Sequence, residues 1–329
     1  MEADLVQRAG ITFATIPAAG VHGVGWRALP GNLAQLGRGY AAARGILRDF
    51  RPDALFFTGG YVAGPVALAG RRIPTAIFVP DIEPGMAIKF LARFADRITV
   101  PAEASRAYFP HQERVMVTGY PVRSDLSNWE PADAYRFFGF SADLPVLLVT
   151  GGSLGSLSIN RALTAALRDL LPEMQIIHLT GARTWEQFKT AGDDLPPELA
   201  ARYRAFPYLH EMGAALRIAD LIVSRAGAST LGEYPHFGIP AILVPYPHAW
   251  RYQKVNADYL ESQGAAITLA DEKMPEGLTP LILDLIRNET RRKKMRQAML
   301  DLAHPKAAAQ IAAQILALAN AGEYHYAAN

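Results

Sequence analysis

Short apolar runs alternate with helix-like stretches along almost the whole chain, and this alternation constrains the fold more than any other feature. Helical periodicity fills the intervals between the runs, for example at residues 32–49 and 86–94. This order is typical of parallel sheets covered by helices. The predicted strands are residues 12–16, 54–57, 75–79, 98–100 and 115–118, followed by 146–150, 175–179, 221–224, 241–244 and 266–269.

A chain of 329 residues is long enough for two domains. Residues 119–144 are rich in Pro, Asp and aromatic residues and have weak periodicity, so we expect the domain boundary there. Each half has a glycine-rich loop directly after a predicted strand, at 58–65 and at 150–156, where the backbone can approach a phosphate or a sugar closely. Neither loop has the spacing of a dinucleotide fingerprint or a P-loop. We therefore expect an α/β protein with two facing Rossmann-like domains and a cleft between them.

Residues 219–233 combine an apolar strand, a loop of small residues and a single acid, Glu233, in the first turns of a predicted helix. Backbone N–H groups at such a strand–loop–helix junction suit an anion, and the carboxylate can accept hydrogen bonds from sugar hydroxyls. An ordinary βα turn is the competing interpretation. Further along, Gln253 and Asn256 are three residues apart and share a helix face, so Gln253 is a candidate sugar ligand or a plain helix-start residue.

Composition and motifs exclude several classes of site. The net charge of +2 gives no nucleic-acid footprint, and the absence of cysteine excludes disulfides and cysteine-ligated zinc. His210-Glu211 does not continue into a zinc-protease motif, because position 214 is Ala. Asp81 and Glu83 precede Pro84-Gly85 and predict a turn rather than a metal site. His248 ranks low as a base, and no metal is expected.

Two basic segments were considered as surfaces. Residues 291–296 follow Asn288, a natural N-cap, and are best explained as a solvated helix face. Residues 25–48 interleave arginines with apolar groups and have no acid before Asp49. That segment suits an anionic lipid surface, or its apolar side chains form the core face of a helix. No apolar run is long enough to span a membrane.

Taken together, these segments resemble the MurG-type UDP-N-acetylglucosamine transferases of glycosyltransferase family 28. The resemblance covers nearly the whole chain. The segments that carry it are residues 1–16, 58–65, 93–97, 119–123, 150–160 and 224–257. Residues 150–160 and 224–257 are the most specific of these. It implies a GT-B fold, no metal or cofactor, and inversion at the anomeric carbon. It also implies an acceptor domain at residues 1–120, joined by a C-terminal helix at 306–320, and a UDP-sugar domain at 121–305.

The resemblance also implies roles for individual residues. Arg123 and Ser153 would contact the diphosphate, the backbone of Leu209 would hold the uracil, and Gln253 would lie on the sugar side. Glu233 would accept the ribose hydroxyls, at the end of a segment that cradles the nucleotide: Ala228, Ser229, Thr230, Leu231 and Gly232. Further candidate contacts to donor or acceptor are Gly59, Gly60, Asp81 and Asn160. The implied partners are UDP-GlcNAc, a lipid-linked muramyl-peptide acceptor and an anionic membrane surface at the cytoplasmic face.

Two departures from the family pattern are visible. The Gly-Gly-Thr-x-Gly-His loop, whose His is a proposed base, does not occur, so the catalytic residue is unassigned. We expect that a strand–loop–helix piece of roughly 30 residues or more is missing before Met1. Second, residues 78–81 read Phe-Val-Pro-Asp where the family has His-Glu-Gln-Asn.

The departures keep three alternatives open beside a lipid I N-acetylglucosaminyltransferase. The altered residues 78–81 suggest a related GT-B enzyme with another lipid acceptor. The missing loop suggests a nucleotide-sugar-binding module without activity. A UDP-sugar epimerase on the same fold is the third.

Overall fold

The computed structural model describes residues 10–20, 29–247 and 252–326, with Val6 and Arg27 in addition. His248 and residues 25 and 26 of the basic segment lie outside the described residues, as does most of the chain before residue 10.

The first sheet has four parallel strands that lie side by side in sequence order. They are β1 (Leu55–Phe57), β2 (Thr75–Phe78), β3 (Arg97–Val100) and β4 (Val115–Val117), and they agree with four of the predicted strands. The helices of this half are α1 (Leu29–Phe50), α2 (Ala63–Ala69) and α3 (Met86–Leu91), followed by 3-10 helices at Glu103–Tyr108 and Gln112–Arg114.

The predicted strand at residues 12–16 is wrong, because these residues form no regular secondary structure. A β-branched run becomes a strand only where neighbouring strands and packing support it. Here the segment passes over α1 at Gly39, where any side chain would collide with the carbonyl oxygen of Pro17. Contact with a helix therefore replaces pairing in a sheet.

The second sheet has six parallel strands in the order β10-β9-β8-β5-β6-β7. The chain begins at the central strand β5, builds towards one edge, and then returns to build towards the other, which is the doubly wound order. The sequence analysis does not predict β7, a four-residue edge strand that contains Arg204. The strands are β5 (Val146–Thr150), β6 (Gln175–Leu179), β7 (Tyr203–Phe206), β8 (Leu221–Ser224), β9 (Ala241–Leu243) and β10 (Ala266–Thr268).

Helices cover both faces of this sheet, which explains why its central strands are apolar without alternation. Within β5, Val146 and Leu148 belong to one buried cluster, and Leu147 and Val149 belong to the cluster on the opposite face. The described helices that follow α3 along the chain, of which the last packs on the first sheet, are α4 (Pro131–Phe138), α5 (Leu157–Leu170), α6 (Trp185–Phe188), α7 (Pro197–Ala200), α8 (Met212–Ile218), α9 (Glu233–Phe237), α10 (Tyr252–Ser262), α11 (Met274–Arg287), α12 (Glu289–Asp301) and α13 (Ala307–Tyr326).

The segment between the sheets and the C-terminal helix bind the two halves together. Within residues 119–144, α4 packs against α8, and its Ala134 and Phe138 enter the core of the second half. At the other end of the chain, α13 packs against β2 of the first sheet. The chain therefore crosses between the halves twice.

An Asp that immediately precedes a strand fastens the end of the neighbouring strand in both sheets. A carboxylate oxygen of Asp96, just before β3, accepts a hydrogen bond from the Thr75 N–H at the start of β2 (2.8 Å). Asp220, just before β8, accepts in the same way from the Val146 N–H at the start of β5 (3.0 Å). Both acids occur in an Ala-Asp-x-Ile pattern, so one local signal serves both halves.

Asn256 on α10 fastens the two halves to each other. Its Oδ1 accepts from the Ile82 N–H (3.0 Å), and its Nδ2 donates to Asp81 Oδ1 (2.8 Å) and to the Ala226 carbonyl oxygen (3.2 Å). The side chain is fully buried, and its hydrogen-bonding groups all have partners. Because Asp81 and Ile82 follow β2 while Ala226 follows β8, one amide joins the edges of both sheets.

A second buried network places Asn160 away from the cleft. Asn160 Nδ2 donates to the Thr180 carbonyl oxygen (2.8 Å) and to Thr184 Oγ1 (3.1 Å), so its Oδ1 must accept from His178 Nε2 (3.1 Å). His178 Nδ1 then accepts from the hydroxyl of Tyr203 (2.7 Å). The candidate role of Asn160 as a donor or acceptor contact is therefore corrected: it is fully buried and ties α5 to the loop after β6.

Asn256→Ala is expected to destabilise the protein by about 1–3 kcal/mol, because the buried Ile82 N–H and Ala226 carbonyl lose their partners. Urea unfolding measures the change. Asn128→Ala, which truncates an exposed asparagine, is the control and should stay within about 0.5 kcal/mol of the unaltered protein. Equal stabilities for both variants would contradict the interpretation.

Burial lowers the pKa of His178 to about 4. An unfolded His has a pKa near 6.5, so the unfolded state binds the proton first. The stability supplied by neutral His178 is therefore complete above pH about 6.5 and is lost as the pH falls towards about 4, by about 3 kcal/mol in total. In urea titrations between pH 7 and pH 5, His178→Gln should lose less stability than the unaltered protein. The exposed control His111→Gln should lose as much stability between pH 7 and pH 5 as the unaltered protein.

Candidate functional site

A cavity of about 980 Å³ opens at the carboxyl edge of the second sheet, beside the point where the strand order reverses between β5 and β8. Parallel strands deliver their following loops to the same edge, and the reversal sends neighbouring loops to opposite faces and leaves a crevice. Residues that follow each of the six strands, β5 to β10, line this crevice.

The loop after β5 depends on its glycines. Gly152 and Gly155 have positive φ angles of 84° and 80°. A side chain on Gly151 would meet the Ser156 backbone nitrogen, and one on Gly155 would meet the Thr180 carbonyl. The loop thereby folds back and leaves Ser153 exposed at its tip.

The 14-residue helix α5 begins directly after this loop, with the Ser156 hydroxyl accepting from the Ile159 N–H as its N-cap. Gly155, Ser156 and Leu157, around this first turn, line the cavity. A helix of this length presents free N–H groups and a partial positive charge at its N-terminus. The structure thus places the first turn of a long helix against the cavity at the end of the central strand.

The loop after β8 leads to a helix whose first turn contains Glu233, as predicted. The loop itself forms a 3-10 helix at Ala228–Leu231, and α9, which begins at Glu233, is only five residues long and contains Pro235. Such a short helix contributes little dipole. The better anion-binding geometry therefore belongs to α5, whereas Glu233 supplies a carboxylate.

Glu233 is half-buried at the wall of the cavity. Burial raises the pKa of its carboxyl, and the nearby Arg123 guanidinium partly offsets this rise. Arg123 is itself exposed and lines the same cavity. A carboxylate and a guanidinium are therefore close together beside the glycine loop.

The structure brings seven of the predicted donor-site residues to the cavity and leaves three out of its lining. The lining residues are Arg123, Ser153, Leu209, Ser229, Thr230, Glu233 and Gln253. Ala228, Leu231 and Gly232 do not line it: Leu231 is buried, and Gly232 lies against the ring of Tyr120. Gln253 has its Oε1 held by the Tyr246 N–H (2.9 Å).

Gly59, Gly60 and Asp81 lie at the ends of β1 and β2 and do not line this cavity. Gly59 and Gly60 turn with φ angles of 115° and 83°. Burial raises the pKa of Asp81, and the hydrogen bond from Asn256 partly offsets the rise. These three residues lie at the carboxyl edge of the first sheet, whereas the cavity opens at the carboxyl edge of the second sheet.

Tyr120 responds to the charges of acidic groups from both halves of the molecule. Its pKa is raised by burial first, and then by the charges of Glu233 and Asp81. Its ring packs edge-on against Phe78 at the end of β2, 5.7 Å between centroids. The two carboxylates therefore face one aromatic side chain from the two halves of the molecule.

Asp81 and Glu83 do not converge on a metal site. Glu83 is buried and pairs with Lys89 (3.1 Å), and Asp81 bonds to Asn256. Within the described ranges, no group of three His, Asp or Glu side chains could hold a metal ion. Nor does any described helix have the length and apolar character needed to cross a membrane.

The sequence analysis assigns no role to several residues that line the cavity. Arg161 on α5 and Arg183 after β6 are exposed, and Tyr208 adjoins Leu209. Arg225, Tyr246 and Asp271 follow β8, β9 and β10. For Arg183, Arg225, Tyr246 and Asp271, the signal that could have found them is their position after predicted strands, since these strand ends share one edge. Tyr208 follows the unpredicted β7 and Arg161 lies within α5, so no such signal was available for them.

Comparisons with known proteins agree over both halves. The description "Glycosyltransferase family 28 C-terminal domain" matches residues 146–314, and "Glycosyltransferase family 28 N-terminal domain" matches residues 1–100. The UDP-N-acetylglucosamine--N-acetylmuramyl-(pentapeptide) pyrophosphoryl-undecaprenol N-acetylglucosamine transferase of Roseiflexus sp. is 40% identical, covering 95% of this chain and 80% of its own length. The enzyme of the same name from Desulforamulus reducens is 36% identical, with 94% and 86% covered.

Solved structures give the same result. MurG of Acinetobacter baumannii superposes with a TM-score of 0.74 at 27% identity, covering 96% of this chain and 87% of that protein. A UDP-GlcNAc 2-epimerase from Neisseria meningitidis, at 14% identity and a TM-score of 0.66, shares the fold alone. The two-sheet α/β architecture is the GT-B fold, and the chain belongs to the MurG type of glycosyltransferase family 28.

Proposed function

We propose that this chain transfers N-acetylglucosamine from UDP-N-acetylglucosamine to lipid I, making lipid II. The observation that carries the proposal is that relatives 36–40% identical over most of the chain are named for this transfer. In the reaction, the C4 hydroxyl of the lipid-linked muramyl sugar attacks the anomeric carbon. The bond from that carbon to the phosphate oxygen breaks, its electron pair leaves with UDP, and the hydroxyl proton is released.

The leaving diphosphate needs positive charge that is already in place. We assign this task to the first turn of α5, the exposed Ser153 hydroxyl and the Arg123 guanidinium. Their shared position along the cavity supports the assignment. Helix N–H groups and a guanidinium would then do what a metal ion does in other transferases.

The nucleoside would lie deeper along the same edge. We assign the uracil to the backbone of Leu209 and the ribose hydroxyls to Glu233, with residues 228–232 shaping the floor. Gln253, held by the Tyr246 N–H, would meet the sugar. Support comes from the position of Leu209, Glu233 and Gln253 in the lining of the same cavity.

The acceptor would enter from the first sheet. We propose that residues 1–120 form the acceptor domain, residues 121–305 the donor domain, and 306–320 a helix that returns to the first. The packing of α13 against β2 supports this division. Gly59, Gly60 and Asp81 at the carboxyl edge of the first sheet are the candidate acceptor-side contacts.

A lipid-linked acceptor requires the enzyme to work at a membrane surface. We propose that the chain acts as a peripheral protein at the cytoplasmic face and uses α1 to contact anionic lipid. Leu33 and Tyr40 are exposed on α1, which fits a lipid-facing surface better than a core face. Arg38 and Arg44 are exposed on the same helix and could meet lipid phosphates.

The direct test supplies the full-length protein with radiolabelled UDP-N-acetylglucosamine and lipid I. We expect label in a lipid-linked disaccharide and one UDP released for each sugar transferred. UDP binding without any labelled lipid would contradict the transferase and leave a nucleotide-sugar-binding module. Conversion of the UDP-sugar without acceptor would indicate an epimerase.

Glu233→Ala is expected to lower kcat/KM for the donor by about 10- to 100-fold, because hydrogen bonds to a charged group contribute roughly 1.5–3 kcal/mol. Since burial raises the pKa of Glu233, the donor KM of the unaltered enzyme should rise as the pH falls through that raised value and the carboxylate is neutralised. In Glu233→Gln, the donor KM should rise less steeply as the pH falls. The exposed control Glu198→Gln should match the unaltered enzyme.

A further inference from the structure

The guanidinium of Arg225 is held by the protein through both of its terminal nitrogens. Its side chain is only 10% exposed. Nη1 pairs with Asp271 Oδ1 (2.5 Å) and donates to the carbonyl oxygens of Val244 (3.1 Å) and Pro245 (3.3 Å). This nitrogen therefore serves the loops after β9 and β10.

The second terminal nitrogen, Nη2, serves the loop after the central strand. It donates to Ser156 Oγ (2.7 Å) and to Ser158 Oγ (2.9 Å). Ser156 is the N-cap of α5, and Ser158 also donates to Asp271 Oδ1 (2.9 Å). One side chain from the loop after β8 thus joins the loops that follow β5, β9 and β10.

The contacts of Arg225 extend to the sugar side of the cavity. The guanidinium carbon of Arg225 lies over the ring of Tyr246, 5.2 Å from its centroid. The Tyr246 N–H in turn holds Gln253 Oε1. The walls proposed for the diphosphate and for the sugar are therefore fastened to the same group.

Burial separates Arg225 from the other arginines of the cavity, which are exposed, including Arg123 with its solvent-exposed pair to Asp125 (3.6 Å). Its positive charge is balanced by Asp271, whose side chain is 20% exposed. By contrast, Arg161 and Arg183 are exposed on the same cavity and have no ion pair among the described residues. An incoming diphosphate would meet these free cations and Arg123, not the compensated one.

We propose that Arg225 and Asp271 form a positioning pair that preorganises the nucleotide pocket and does not itself contact the diphosphate. The inference rests on the proposed UDP-sugar site. A guanidinium presents several donors in a rigid fork, so it can hold several loops at once, and a lysine cannot replace it. Asp271 keeps the fork aimed at the loops by balancing its charge. With the loops already held, nucleotide binding need not order them.

The test measures UDP binding by calorimetry for Arg225→Lys, Asp271→Asn and the double variant. We expect each single change to weaken UDP binding by about tenfold and the double change to weaken it little further, because the residues act as one unit. Since no contact to phosphate is lost, the salt dependence of the affinity should keep its slope. Asp284→Asn, which breaks the surface pair with Arg291, is the matched control and should bind UDP normally.

The alternative is that Arg225 contacts the phosphate directly, and it predicts the opposite change in UDP affinity for Asp271→Asn. Asp271→Asn would then free a positive charge beside the diphosphate, and UDP would bind as tightly as before or more tightly. That result, or single effects that multiply in the double variant, would overturn the proposal.

Hydrogen exchange gives a readout that needs no nucleotide. Amides of residues 151–160 should exchange faster in Arg225→Lys and in Asp271→Asn than in the unaltered protein, whereas the control should not change. If hydrogen exchange were unchanged in both variants, the proposal that Arg225 and Asp271 hold these loops would be overturned, even if UDP binding fell. Because this measurement is made without UDP, a failure of the proposed transferase activity would not be mistaken for a failure of the pair.

Discussion

The parallel direction of the strands in the second sheet is the constraint on which the site depends. Since every strand there points the same way, the loops after β5, β8, β9 and β10 meet at one edge, although β5 ends at Thr150 and β10 only at Thr268. The reversal of order beside β5 then opens a crevice between those loops. Glycine allows the loop after β5 to fold back there, so that α5 begins against the crevice.

Bringing many loops to one edge creates a second requirement, since loops lack the regular hydrogen bonds of strands. The protein meets it with side chains that each serve several segments. Asn256 joins the ends of β2 and β8, His178 and Asn160 join α5 to the loop after β6, and Arg225 joins four loops. In each case the polar side chain is buried or nearly so and makes several hydrogen bonds.

The distribution of charge follows from the same arrangement. The acids Asp81 and Glu233 belong to opposite halves, and the charges of both raise the pKa of Tyr120. Exposed arginines occupy the cavity on the glycine-loop side, where a diphosphate would lie. A nucleotide sugar could therefore place its negative end among cations and its hydroxyls beside carboxylates and amides, in keeping with the family of the chain.

The sequence by itself determined the α/β class, nine of the ten described strands, the two glycine loops and the family. These are local properties: an apolar run, a capping residue or a glycine at a turn carries its own signal. Residues 12–16 and β7 were misjudged because a short segment becomes a strand only through its neighbours. Only the tertiary structure decided that Asn160 supports the loop from below, that Ala228, Leu231 and Gly232 lie outside the cavity, and that Arg225 is engaged by Asp271. Each of those outcomes depends on which distant side chain occupies the other end of a contact, and spacing along the chain does not encode that.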